Sequence, residues 1–194
     1  MESYVILVLG WIVFFAFHSF LASDRLKSVL GKPQKYRLIY NIFSALALLV
    51  LLFYMMVIPA ELVLPKNIYT KFFGLVLATY GIMILKASSK IYDWKAFFGF
   101  GDVPSEKPEL KKEGILAHIR HPLYLGLILM FTGYFFFSPT LTNLVAWACT
   151  MLYLPFGIAS EEKKLVREFG EAYTNYQKEV PMLIPKKKFL KRKK

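Results

Sequence analysis

HPLYLGLILMFTGYFFFSPTLTNLVAWACTMLYLPFGIAS, residues 121–160, contains no Lys, Arg, Asp or Glu. A helix crosses a bilayer with about 17–25 apolar residues, so this tract has length for two crossings. SPTLTN, residues 138–143, supplies turn chemistry at its middle, with Pro139 at a favoured turn position. The reading is a fourth span, Pro122 to Phe137, a turn, and a fifth span from Leu144 to about Ile158. Together they form a helical hairpin with an uncharged tip. The fourth span is short for a full crossing.

The rest of the chain repeats the pattern. Residues 3–23, 38–60 and 72–85 also lack charged side chains, and 56% of the 194 residues are hydrophobic. Soluble domains interleave their apolar residues with polar ones, whereas here they come in blocks. Three more spans follow: Tyr4 to Leu21, Ile39 to Ile58 and Tyr69 to Leu85. Only helices or closed barrels satisfy backbone groups in lipid, and uniformly apolar runs without alternation exclude the barrel. The first block lacks a basic leading region and exceeds a signal peptide's apolar stretch, so it reads as a retained anchor. The expected fold is an all-α integral membrane protein with five transmembrane helices.

The net charge is +12. In this setting the basic residues set topology and touch anionic headgroups, so the partner is a membrane bilayer and no nucleic acid. Of the 25 Lys and Arg, all but Lys66 and Lys71 fall in the segments before the second span, between the third and fourth, or after the fifth. The positive-inside rule makes those segments cytoplasmic, with the N-terminus outside and the C-terminus inside. Nothing in the sequence fixes the oligomeric state. Two cytoplasmic segments exceed simple connectors. Residues 91–113 form a long loop rich in aromatics, and loops of that length are often functional. EEKKLVREFGEAYTNYQKEVP, residues 161–181, spaces Leu165, Phe169, Tyr173 and Tyr176 by four and three, as an amphipathic helix ended by Pro181 does. Such a helix can lie on the membrane face or on its own bundle.

At the lip of the charge-free tract stand His118, Arg120 and His121. Flanking basic residues are ordinary at a membrane interface. Yet ionisable groups near the apolar zone find partners, and Pro122 starts a helix whose N–H groups and dipole favour an anion. Arg120 can add a bidentate fork for a carboxylate or phosphate. Glu161 and Glu162 appear where the last span leaves the lipid, and one of them can turn inward toward this lip. The expected ligand is zwitterionic: an anionic part for the Arg–His lip and a cationic or hydroxylated part for a glutamate. Three histidines in the whole chain, with His18 in the first span, give no metal site. Cys149 is alone, so no disulfide forms within the chain. Neither a phosphate-binding loop nor a GxGxxG fingerprint is present, so any cofactor sits among loops and helix ends.

RHPLYLG, residues 120–126, followed by EEKKLVREFGEAYTNYQKEVPMLIP, residues 161–185, resembles the isoprenylcysteine carboxyl methyltransferase family, of a short prokaryotic or archaeal type. Membrane phospholipid methyltransferases share the RHP-x-Y-x-G and paired-glutamate pattern. The resemblance covers roughly the last 80 residues. It implies S-adenosylmethionine as cofactor at the cytoplasmic face, contacted by His121, Pro122, Leu123, Tyr124 and a glutamate of the pair, Glu161 or Glu162. The preceding segment, Lys107, Pro108, Glu109, Leu110 and Leu116, contributes as well. A tyrosine common at the Leu116 position is absent. Arg120, Glu162 and His118 are the candidate catalytic residues, His118 or a glutamate serving where an acceptor must lose a proton. The resemblance divides the chain into three N-terminal helices, residues 1–90, and a cofactor-binding unit, residues 91–194. The acceptor it implies is the carboxylate of a prenylcysteine-like or other lipid-like molecule. An arginine that eukaryotic members carry before the glutamate pair is missing from LPFGIAS, residues 154–160, which leaves the acceptor open. The alternatives are a phospholipid N-methyltransferase, a sterol-reductase-like enzyme using NADPH, and a non-enzymatic membrane protein with a relic site.

Overall fold

The structure is a computed structural model that describes residues 1–23, 26, 36–91, 98, 100 and 109–185. Helices dominate them: α1 (Glu2–Ala22), α2 (Tyr36–Val57), α3 (Ile68–Ser89), a 3-10 turn (Gly114–Ala117), α4 (Pro122–Phe137), α5 (Leu141–Phe169) and α6 (Glu171–Glu179). No strand is present among the described residues, only an isolated bridge between Leu62 and Thr140. Four helices, α1, α2, α3 and α5, are long and apolar enough to cross a membrane. The expected fourth span, α4, has 16 residues. At 1.5 Å per residue it extends about 24 Å, less than the ~30 Å hydrocarbon core.

Two seams organise the bundle. The most extensive contact is between α3 and α4. Glycines spaced by seven on both helices meet there. A Cβ on Gly74 would fall 2.5 Å from the Gly133 carbonyl oxygen, and one on Gly81 2.7 Å from that of Gly126. Backbone touches backbone, as small residues allow when helices associate in lipid. The hairpin partner of α4, α5, makes a lesser contact, which includes a hydrogen bond from Trp147 Nε1 to Thr132 Oγ1 at 3.0 Å. The second seam joins α1 to α2 and α5 around Leu7, Trp11, Leu51, Ile58 and Ala146. Phe15 stacks on Tyr153 at 4.1 Å between ring centroids.

Local sequence explains the ends. Asn67 caps α3 by accepting from the Thr70 N–H at 2.8 Å, and Thr140 caps α5 by accepting from that of Asn143 at 3.3 Å. The α2–α3 loop is tied to the hairpin tip by Val63 N–H to Pro139 O, 3.0 Å, and Leu141 N–H to Glu61 O, 2.7 Å. Those two sparsely charged loops therefore lie at one end of the bundle. Residues 109–121, the C-terminal part of α5 and α6 gather at the other end.

The segment after the last span corrects the expectation of one amphipathic helix from Glu161 to Pro181. Its first half continues α5 without a break to Phe169. The chain then turns at Gly170, whose φ of 57° and ψ of −129° suit a residue without a side chain, and α6 starts anew. The corner folds the apolar stripe onto itself. Tyr173, Tyr176 and Val180 are buried together, with Leu165, Val166, Phe169 and Leu110 packed against them. The C-terminal tail and most of the aromatic loop lie outside the described residues.

Candidate active site

The lip is built from Arg120 outward. Its N–H donates to Pro181 O, and that of His121 donates to Met182 O, both at 3.0 Å. These bonds pin the start of α4 to the stretch after α6. Pro122 follows as the first helical residue, where its missing N–H costs nothing. The Arg120 guanidinium then closes the joint. Nε and Nη2 donate to Glu162 Oε1 and Oε2 at 2.9 and 3.2 Å. Nη1 donates to the carbonyls of Gln177, 3.0 Å, and Val180, 2.6 Å. Those carbonyls end α6, where helix groups are left without partners and the dipole favours a cation.

Glu162 is the centre of the joint. His121 Nε2 lies 2.7 Å from Oε1, and the Tyr173 hydroxyl donates to the same oxygen at 2.9 Å. Gln177 Nε2 donates to Oε2. An ionised carboxylate only accepts, so His121 carries its proton on Nε2. The side chains of Arg120 and Glu162 are 7% and 12% exposed, and that of His121 is 3% exposed. Donors on four side chains hold Glu162 in its charged form at this buried position. Burial and the bond to that carboxylate push the Tyr173 hydroxyl well above its usual pKa. Tyr173 is thus a fixed donor.

This geometry relocates the expected roles. The Arg120 fork points into the protein and is spent on Glu162 and the end of α6, so it is not the open anion clamp its position suggested. Of the glutamate pair, Glu162 turns inward and Glu161 stays 37% exposed, its Oε2 3.8 Å from His121 Nδ1. Tyr124 stands beside them, its ring edge-on to His121 at 5.6 Å. Pro122 is buried and Leu123 half-buried in the same turn. His118 is exposed at the end of the 3-10 turn. Leu116 is buried, and its carbonyl accepts from the Tyr176 hydroxyl at 2.6 Å. Leu110 packs on the tyrosine cluster, whereas Glu109 is exposed along a cleft of about 570 Å³. Lys107 and Pro108 lie outside the described residues. A second cleft, about 510 Å³, opens beside Glu162 and includes Ser160, Lys163, Arg167 and Gln177.

Sequence reasoning missed Tyr173 and Gln177 as site residues. In the sequence, the spacing of Tyr173 and Tyr176 reads as part of an apolar stripe. A buried tyrosine needs a partner for its hydroxyl, and that requirement was the available signal. No group of three or more His, Cys, Asp or Glu able to hold a metal occurs among the described residues.

The family model described as NnrU protein matches residues 6–186. Methanethiol S-methyltransferase of Crocosphaera subtropica is 31% identical over 87% of the chain and 69% of its own length. Methanethiol S-methyltransferase 1 of Bradyrhizobium diazoefficiens is 28% identical over 95% of the chain and 67% of its own length. The protein-S-isoprenylcysteine O-methyltransferase of Schizosaccharomyces pombe is 37% identical over 39% of the chain and 33% of its own length. No solved structure matches the chain significantly. Its relatives are membrane methyltransferases, and the chain itself belongs to the NnrU protein family, within the wider isoprenylcysteine methyltransferase-like group.

Proposed function

We propose that the protein is a membrane methyltransferase that moves a methyl group from S-adenosylmethionine to a small thiol. The observation that carries this reading is the joint at Glu162. It binds the first turn of α4, the end of α5 and α6 into one lip, and leaves Glu161 partly exposed at it, with Tyr124 packed beside His121. That lip suits the methyl donor. The first turn of α4 offers N–H groups and a positive dipole for a carboxylate. Glu161 offers an accessible carboxylate for an ammonium or for ribose hydroxyls. Arg120 supports the lip from behind, as a positioning residue.

When bound, S-adenosylmethionine supplies a methyl group on a positively charged sulfur. Glu161 and the exposed His118 are the lip's candidates to take up the thiol proton. The thiolate sulfur then forms the new bond to the methyl carbon. The old sulfur–carbon bond breaks with its electron pair on the departing donor, giving a thioether and S-adenosylhomocysteine. The protein's share is alignment and exclusion of water. The thiol acceptor is favoured over the prenylcysteine carboxylate because the relatives aligned along most of the chain are named for methanethiol. The isoprenylcysteine relative aligns over 39% of it.

The test uses purified protein in lipid nanodiscs with methyl-labelled S-adenosylmethionine, offered methanethiol, a prenylcysteine or phosphatidylethanolamine. Label is expected in dimethyl sulfide. Label in the prenylcysteine alone or the phospholipid alone would reassign the acceptor, and label in none would refute the transferase.

A further inference from the structure

The C-terminal part of α5 has two polar sides. Glu161, beside His121, marks the side that belongs to the lip. Lys163 follows two residues later, about 200° around the helix, and so points to the other side. Lys163 and Arg167 are both exposed there, four residues apart on one face. With Ser160, Glu162 and Gln177 they line the cleft of about 510 Å³. The methyl transfer makes no use of this cleft.

Glu162 does not make the cleft a cation site. Its Oε1 already accepts from Arg120 Nε, His121 and Tyr173, and its Oε2 from Arg120 Nη2 and Gln177. A carboxylate has about four lone-pair sites, so these donors saturate it. The charge of the cleft is therefore set by Lys163 and Arg167, with the Ser160 hydroxyl as a further donor, and it favours a phosphate. On the same face α5 turns apolar. Leu152, Phe156 and Ala159 are exposed, and steps of four, three and four carry the face from Leu152 to Lys163 along one unbroken helix. Leu152 lies about 16 Å from Lys163 along the axis at 1.5 Å per residue, close to half of the ~30 Å hydrocarbon core. A phosphate level with Lys163 thus places its acyl chain against Phe156 and Leu152 over the depth of one leaflet.

We propose that this face of α5 is a binding site for one anionic phospholipid of the phosphatidylglycerol type, its phosphate in the cleft against Lys163, Arg167 and Ser160 and an acyl chain along Phe156 and Leu152. Basic pockets beside membrane helices hold anionic headgroups in this way. A zwitterionic headgroup is disfavoured, because its ammonium would meet two cations and a saturated carboxylate. Glu162 and Gln177 line the same cleft, so the lipid lies against the back of the joint that shapes the lip. The site does not depend on which acceptor takes the methyl group.

The experiment titrates the full chain in detergent with phosphatidylglycerol or phosphatidylcholine and counts bound lipids by native mass spectrometry, with circular dichroism as the check on folding. One phosphatidylglycerol is expected to bind about tenfold or more tighter than phosphatidylcholine. The double variant Lys163→Gln, Arg167→Gln is expected to lose about tenfold or more of the phosphatidylglycerol affinity, the scale of two basic side chains at an anionic surface. Its phosphatidylcholine affinity stays within about twofold. Lys86→Gln with Lys90→Gln removes the same charge at the end of α3 and is expected to change neither by more than about twofold. If the first double variant loses helix, Ser160→Ala reads the same site with an expected loss of about threefold. Equal losses in the two double variants would reduce the site to diffuse surface charge and overturn the proposal. So would an absence of preference between the two lipids, or displacement of the bound lipid by inorganic phosphate at equal concentration, which would make the ligand a free anion.

Discussion

The α3–α4 seam and the α1–α5 seam differ in what lies between the helices. In the first, four glycines let backbones touch, and nothing larger than a hydrogen fits at the contact. In the second, aromatic rings and hydroxyls fill the gap, and a Cβ on Gly157 beside them would meet its neighbours at ordinary contact distance, 3.7–3.8 Å. The lesson is that α3 and α4 meet backbone to backbone, while α1 and α5 meet through side chains. Glu162 couples the two, because it ties the start of α4 to the end of α5 at the lip.

Cutting that coupling gives the largest expected effect. Glu162→Ala leaves the Arg120 guanidinium buried with its carboxylate partner gone. Breaking a buried pair from one side costs about 3–5 kcal/mol. Denaturant unfolding in detergent checks this, and a loss under about 1 kcal/mol would show the joint to be dispensable. Next is the backbone seam. Gly133→Leu drives a side chain into the α3 backbone and should cost about 3 kcal/mol, the upper range for overpacking. Smallest is the side-chain seam. Gly157→Ala should leave stability unchanged or raise it by about 0.5–1 kcal/mol, since alanine favours the helix and the space exists. If Gly133→Leu and Gly157→Ala moved stability alike, the contrast between the seams would be lost.

Much of the bundle was legible in the sequence, because charge-free runs and the placement of basic residues are one-dimensional signals. Four of the expected spans reappear as helices with the length and composition to cross a membrane. The α4 helix starts and ends at the expected residues, Pro122 and Phe137, yet is too short to count with them. Its main partner was not legible. The hairpin connection pointed to α5, but the seven-residue glycine spacing shared by residues 74/81 and 126/133 makes α3 the closer neighbour. That signal lay in two distant segments and gains meaning only when they are paired.

At the lip, the clustering of Arg120, His121, Glu161 and Glu162 followed from the residues, including an inward-facing glutamate. The direction of Arg120 did not. Its fork is spent internally because the Gly170 corner brings the end of α6 back over it. A single positive-φ glycine thus converts a surface stripe into the floor of the site. Periodicity alone reads straight through such a corner. Tyr173 and Gln177 were lost for the same reason, since they reach Glu162 only after the chain reverses.

The central claim is that the methyl donor is held at the lip whose outward face carries Glu161. Titration calorimetry of S-adenosylhomocysteine into the full chain in nanodiscs, with Glu161→Ala as the comparison, tests it most directly. Saturable binding to the wild type, weakened about tenfold or more by the substitution, is the predicted result. Absence of binding to the folded wild type, or equal affinity in both proteins, would contradict it.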